Sequence, residues 1–125
     1  MRESELLRTC LDYLQIMQNQ GKLCFLRLNS GALFPSHNGK SYKVQLCPEG
    51  TADVMVVMRE FLGSSPGTPG RSDEEFWGTN VIFIETKAKN GELSDKQEEF
   101  RDRVTAQGAK YLEIRDLDEL ETEID

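Results

Sequence analysis

Between Ser4 and Asn19 the apolar residues Leu6, Leu7, Cys10, Leu11, Leu14 and Met17 recur at three- and four-residue steps, which predicts an amphipathic helix stopped by Gly21. Ser4 reads as its N-cap, so Glu5 falls in the first turn, where the helix dipole favours a carboxylate. The period then shortens. Residues 23–28 read as a first strand closed by Asn29-Ser30-Gly31, and residues 35–40 carry turn chemistry. Residues 42–46 alternate weakly, as a short edge strand would. After the break at Pro48-Glu49-Gly50, residues 52–58 predict a strand with Asp53 near its start, and residues 81–86 predict its antiparallel neighbour.

Glycine, proline and serine are dense over residues 63–74, so a long mobile loop is expected there, inside an insertion spanning roughly residues 60–79. Trp77 at its end is expected to anchor the loop on the core. Further on, Ser94-Asp95-Lys96-Gln97 forms a capping box that opens a second helix, with Phe100 and Val104 on one side and Gly108 as its stop. Residues 111–114 follow as a last strand, and residues 118–124 as a short acidic tail helix. A final strand reached through a helix is most easily placed parallel to its neighbour. The expected fold is therefore α/β, a mixed central sheet flanked by helices, in one domain over residues 1–125.

Composition narrows the function. The 15 Lys/Arg against 22 Asp/Glu give a net charge of -7, unlike the basic footprint of a general nucleic-acid coat protein. The charge is uneven: residues 1–47 hold six basic and three acidic residues, leaving the excess of acid to residues 48–125. Such asymmetry gives one region suited to a polyanion. Cys10, Cys24 and Cys47 show no metal-binding spacing, and Cys10 and Cys24 read as small core residues in a reducing compartment. Without a leader or a long apolar run, the expected location is the cytoplasm and no membrane partner is expected. His37 lies alone in a polar turn and is expected to be exposed.

Three charges interrupt the two apolar strands. Glu85 and Lys87, two apart in Val81-Ile82-Phe83-Ile84-Glu85-Thr86-Lys87, project to the face that Val81 and Phe83 occupy. If Asp53 faces them from the neighbouring strand, two acidic oxygen donors and an ammonium meet in one small volume. That set suits a hard divalent cation beside a phosphate. A salt-bridged structural cluster is the competing reading of the same three residues.

An acid in one strand, an acid-x-lysine in the next and a glutamate in a preceding helix resemble the PD-(D/E)XK nuclease superfamily. Glu3-Ser4-Glu5-Leu6, Asn29-Ser30-Gly31, Gly50-Thr51-Ala52-Asp53, Ile84-Glu85-Thr86-Lys87 and Gly91-Glu92-Leu93-Ser94-Asp95-Lys96-Gln97 together are similar to the VRR-Nuc family of virus-type replication and repair nucleases. These pieces run in order over nearly the whole chain, apart chiefly from residues 60–79. The resemblance implies a restriction-endonuclease-like αβββαβ core. It also implies metal-binding acids at Asp53 and Glu85, a catalytic lysine at Lys87, a helix glutamate at Glu5 acting through water, and Gln97 near the site. The chain departs from the family at Ala52 and at Thr86, where proline and a bulkier aliphatic residue are usual. Thr86 is expected to offer only its backbone carbonyl to the metal, with its side chain pointing away.

The activity implied is Mg²⁺- or Mn²⁺-dependent hydrolysis of DNA phosphodiester bonds, structure-specific on branched DNA in the manner of a junction resolvase. A homodimer in a phage or bacterial host cytoplasm is the form implied. Arg27, Lys40, Lys43, Lys89 and Lys96 are the candidates for contacts to the DNA backbone, which give affinity without sequence preference. From another functional class comes a non-catalytic or accessory module that keeps the fold and uses its acidic surface to bind a partner.

Overall fold

In the computed structural model, which describes residues 1–124, the apolar stripe of the first helix is the organising element. Helix α1 (Glu3–Asn19) buries Leu6, Cys10, Leu14 and Met17 against the sheet. Val54, Val56, Ile82, Ile84 and Ile114 belong to the same buried cluster. Because strand side chains alternate, Ile82 and Ile84 facing α1 send Phe83 and Glu85 to the opposite face. There Phe83 meets Phe100 edge-on at 5.1 Å, and Phe100 lies 6.4 Å from Tyr111. The sheet is thus covered on both sides at the strand bearing Glu85.

The sheet has four strands in the order β1 (Cys24–Arg27), β6 (Val54–Ser65), β7 (Glu74–Thr86) and β8 (Lys110–Ile114). Between β1 and β6 the chain makes two small ladders: β2 (Ala32–Leu33) with β5 (Val44–Gln45), and β3 (Ser36–His37) with β4 (Lys40–Ser41). β1 and β7 both pair antiparallel with β6, and β8 runs parallel to β7. The parallel pairing follows the crossover through α2 (Asp95–Ala106), as the order of elements predicts. Ser94 caps α2 and exchanges hydrogen bonds with Gln97 as the capping box requires. No helix among the described residues is long and apolar enough to cross a membrane.

Three expectations need correction. The Gly/Pro/Ser-rich segment is not a loop over residues 60–79: β6 continues to Ser65 and β7 begins at Glu74, so only residues 66–73 turn. Cross-strand aromatic contact outweighs local composition here, for Phe61 meets Trp77 at 5.2 Å and the Arg59 guanidinium lies 4.3 Å from the Trp77 ring centre. Trp77 accordingly braces this hairpin, is 45% exposed, and does not anchor a loop in the core. Cys24 is exposed on the edge strand, whereas Cys10 is buried as expected. The acidic tail helix forms as expected, as α3 (Leu117–Ile124), and its Leu120 and Ile124 join the core cluster with the α1 residues.

One close approach ties the loop before Asp53 to the start of α2. Gly50 has φ +89°, and a Cβ there would sit 2.3 Å from the Lys96 carbonyl oxygen and 2.8 Å from Lys96 Cβ. Backbone lies on both sides, so neither can yield cheaply. Gly50→Ala is expected to destabilise the fold by about 2–4 kcal/mol, from overpacking added to a left-handed backbone. The check is the urea unfolding midpoint, which should fall with little change in slope; an unchanged midpoint would remove this contact from the fold's essentials.

Candidate active site

Asp53 immediately precedes β6, opposite the end of β7, and its carboxylate reaches across the pairing. Oδ2 accepts hydrogen bonds from the Thr86 N–H at 2.9 Å and the Thr86 hydroxyl at 2.8 Å. The Thr86 side chain therefore does not point away from the site as expected; it helps hold Asp53. A bulkier aliphatic residue at this position could not donate that bond. Asp53 Oδ1 lies 3.7 Å from the Arg27 guanidinium, which also donates to the Asp53 and Leu28 carbonyls. Arg27 is thus committed to the Asp53 turn.

Glu85 is 2% exposed. Its Oε1 accepts a hydrogen bond from Gln97 Nε2 at 2.8 Å and lies 4.0 Å from Lys87 Nζ. Oε2 is buried without a hydrogen-bond partner. Burial, and next the negative charge of Asp53, push the Glu85 carboxyl up to about 8; the Lys87 charge and, less strongly, the Asp53 backbone N–H oppose them. Such a carboxylate is costly to keep where nothing meets its second oxygen. The same burial, with Asp53 again adding to it, raises the Cys10 thiol to about 11 and leaves it neutral.

Gln97 does two things at once. Its Oε1 accepts the Ser94 N–H of the capping box, which fixes the amide, and its Nε2 is then aimed at Glu85. Lys87 is almost buried beside this pair. Asp53, Glu85, Thr86, Lys87 and Gln97 are therefore assembled in one place, from the β6 turn, the end of β7 and the first turn of α2.

Glu5 is not brought to that place. The helix starts one residue before the expected Ser4 cap, at Glu3, and Glu5 folds back onto Arg2 through the Arg2 N–H and guanidinium. That pairing holds its carboxyl below the usual range, in a fully solvated setting. Glu3, in contrast, contributes a negative charge that is felt at Glu85.

The basic candidates do not form one cluster around this centre. Lys96 pairs with Glu99 at 3.5 Å on the surface, Lys89 is exposed after β7, and Lys40 and Lys43 stand on the small ladders between β1 and β6. His37 is exposed as expected. Arg115 donates to the Gly91 carbonyl at 2.7 Å and pairs with Glu113, the residue beside Glu85 across the parallel ladder. Glu113 is thereby engaged away from Glu85. Among the described residues no group of three or more histidine, cysteine, aspartate or glutamate side chains converges as a metal cage.

A hard divalent ion nevertheless fits the residues present. Glu85 offers a buried oxygen without a partner, Asp53 acts on it electrostatically, and the donors are all oxygen. Mg²⁺ keeps several waters and needs only one or two carboxylates from the protein. Comparison with models of known protein families, with curated proteins and with solved structures finds no match to this chain.

Proposed function

We propose that this protein is a metal-dependent DNA endonuclease of the restriction-endonuclease-like, VRR-Nuc type, hydrolysing phosphodiester bonds in branched DNA. The observation that carries the reading is the buried Glu85 carboxylate, one oxygen held by Gln97 and the other unmet, with Asp53 and Lys87 beside it. A structural salt bridge is the weaker account of it. A pair serving stability alone would satisfy both oxygens, and a 4.0 Å separation from Lys87 gives little compensation for burial.

Asp53 and Glu85 would hold Mg²⁺ or Mn²⁺, with the Thr86 carbonyl as a third donor. The ion supplies charge neutralisation at the scissile phosphate and activation of the attacking water. Thr86 and Arg27 fix Asp53, and Gln97 fixes Glu85, so both carboxylates are oriented before substrate arrives. Lys87 places an ammonium where negative charge grows on the phosphate, or holds the attacking water.

Branched DNA presents two strands of opposite polarity, which a two-fold pair of sites would match. Gel filtration is expected to give the mass of a homodimer; a monomer at every working concentration would contradict that arrangement. A non-catalytic or accessory module is the second reading, favoured by the net charge of -7. Incubating the protein with linear, flapped and four-way DNA, with and without Mg²⁺ or Mn²⁺, separates the two.

A further inference from the structure

Four pairings between β1 and β6, Ala32 with Gln45, Leu33 with Val44, Ser36 with Ser41 and His37 with Lys40, share one register. They are two parts of a single hairpin. The ladder breaks between them because Pro35 has no N–H to give, while its carbonyl still accepts the Tyr42 N–H at 3.1 Å. Asn38 and Gly39, both with positive φ, close the tip. In this register Phe34 stands opposite Lys43 and Pro35 opposite Tyr42, so Phe34 with Lys43 and Tyr42 with Lys40 fall on alternate faces.

Phe34 is 68% exposed and Tyr42 53%, although neither is needed for the core. The surrounding charge is distinctive in so acidic a chain: there is no Asp or Glu between Asp12 and Glu49, while Lys22, Arg27, Lys40 and Lys43 lie in that interval. At its root the hairpin borders the Asp53 site. Arg27, Asn29, Ser30, Leu33, Thr51 and Asp53 line one open cleft there.

We propose that residues 32–45 form a finger that stacks unpaired bases on Phe34 and Tyr42 and holds their phosphates with Lys43 and Lys40. The substrate of the Asp53–Glu85 site is then DNA with a single-stranded segment beside the scissile bond, rather than uninterrupted duplex. This rests on the nuclease reading above. Positive charge alone would suit any polyanion, but exposed aromatic rings gain from bases only where the bases are unstacked.

The test is fluorescence anisotropy with labelled oligothymidylate and with a duplex of equal length, on the whole protein in EDTA, where cleavage plays no part. The wild type is expected to prefer the single strand. Phe34→Ala with Tyr42→Ala should weaken single-strand binding by about tenfold or more and collapse that preference, given the usual strength of base–aromatic stacking. Lys40→Gln with Lys43→Gln should reduce the slope of log affinity against log salt by about 1.4 for single-stranded DNA. Wild-type single-strand affinity in the aromatic double variant, or equal wild-type affinity for both probes, overturns the proposal. Failure to cleave any DNA with Mg²⁺ or Mn²⁺, together with aromatic-dependent single-strand binding, overturns the nuclease reading and leaves the finger's contact with bases standing.

Discussion

Glu85→Gln is expected to abolish divalent-ion binding and cleavage together, while making the metal-free protein more stable than the parent chain at pH 9. Both effects have one cause. In the folded chain the Glu85 carboxyl is raised from 4.5 to about 8, chiefly by burial and then by the Asp53 charge. A raised folded value means that the folded state holds the proton more tightly than the unfolded chain does. The resulting stability is fully present below about pH 4.5 and is lost as the pH rises through about 8. Above that window the parent carries a buried, incompletely paired anion. Glutamine keeps the shape and the acceptor for Gln97 without the charge, so the variant should gain on the order of 3 kcal/mol at pH 9 relative to the parent. Thermal melts from pH 4 to 9 check this: the two curves should separate across the window, and added Mn²⁺ should raise the Tm of the parent alone. Parallel curves would show that Glu85 carries no such strain.

Lys87→Ala should lower the cleavage rate by about a hundredfold to ten-thousandfold while DNA affinity in EDTA stays within about threefold. The lysine is almost buried, so it makes little of the DNA-binding surface and its charge acts locally. Its ammonium also opposes the upward push on the Glu85 carboxyl. Removing it favours protonated Glu85 at neutral pH, and ion binding should weaken with activity and recover partly at higher pH. Lys87→Arg distinguishes the two roles, since arginine keeps the charge but does not give up a proton. Residual activity in the arginine variant assigns Lys87 to charge stabilisation, and none assigns it to proton transfer or to a geometry that arginine cannot reproduce. Unchanged cleavage in Lys87→Ala would remove Lys87 from the site.

Where the sequence was sufficient, a short-range period met a long-range constraint that agreed with it. The α1 stripe, the capping box at Ser94 and Gln97, and the alternation from Val81 to Lys87 are all local patterns, and each matches its element. From them follow the antiparallel β6–β7 pair and the parallel β8. The arm beyond Met58 was not legible in this way, because what extends it is Phe61 against Trp77 from the other strand, while the intervening composition reads as loop. Likewise, nothing local in the sequence shows the acceptor of the Thr86 hydroxyl, because Asp53 supplies it from 33 residues away.

The most direct test is cleavage of labelled linear, flapped and four-way DNA by purified protein, with Mg²⁺, with Mn²⁺ and with EDTA. Glu85→Gln and Lys87→Ala preparations run alongside. Cleavage of the branched substrates by the wild type, dependent on the added ion and lost in both variants, is the predicted result. Intact DNA with either ion, or wild-type cleavage by Glu85→Gln, would contradict a metal centre at Asp53 and Glu85.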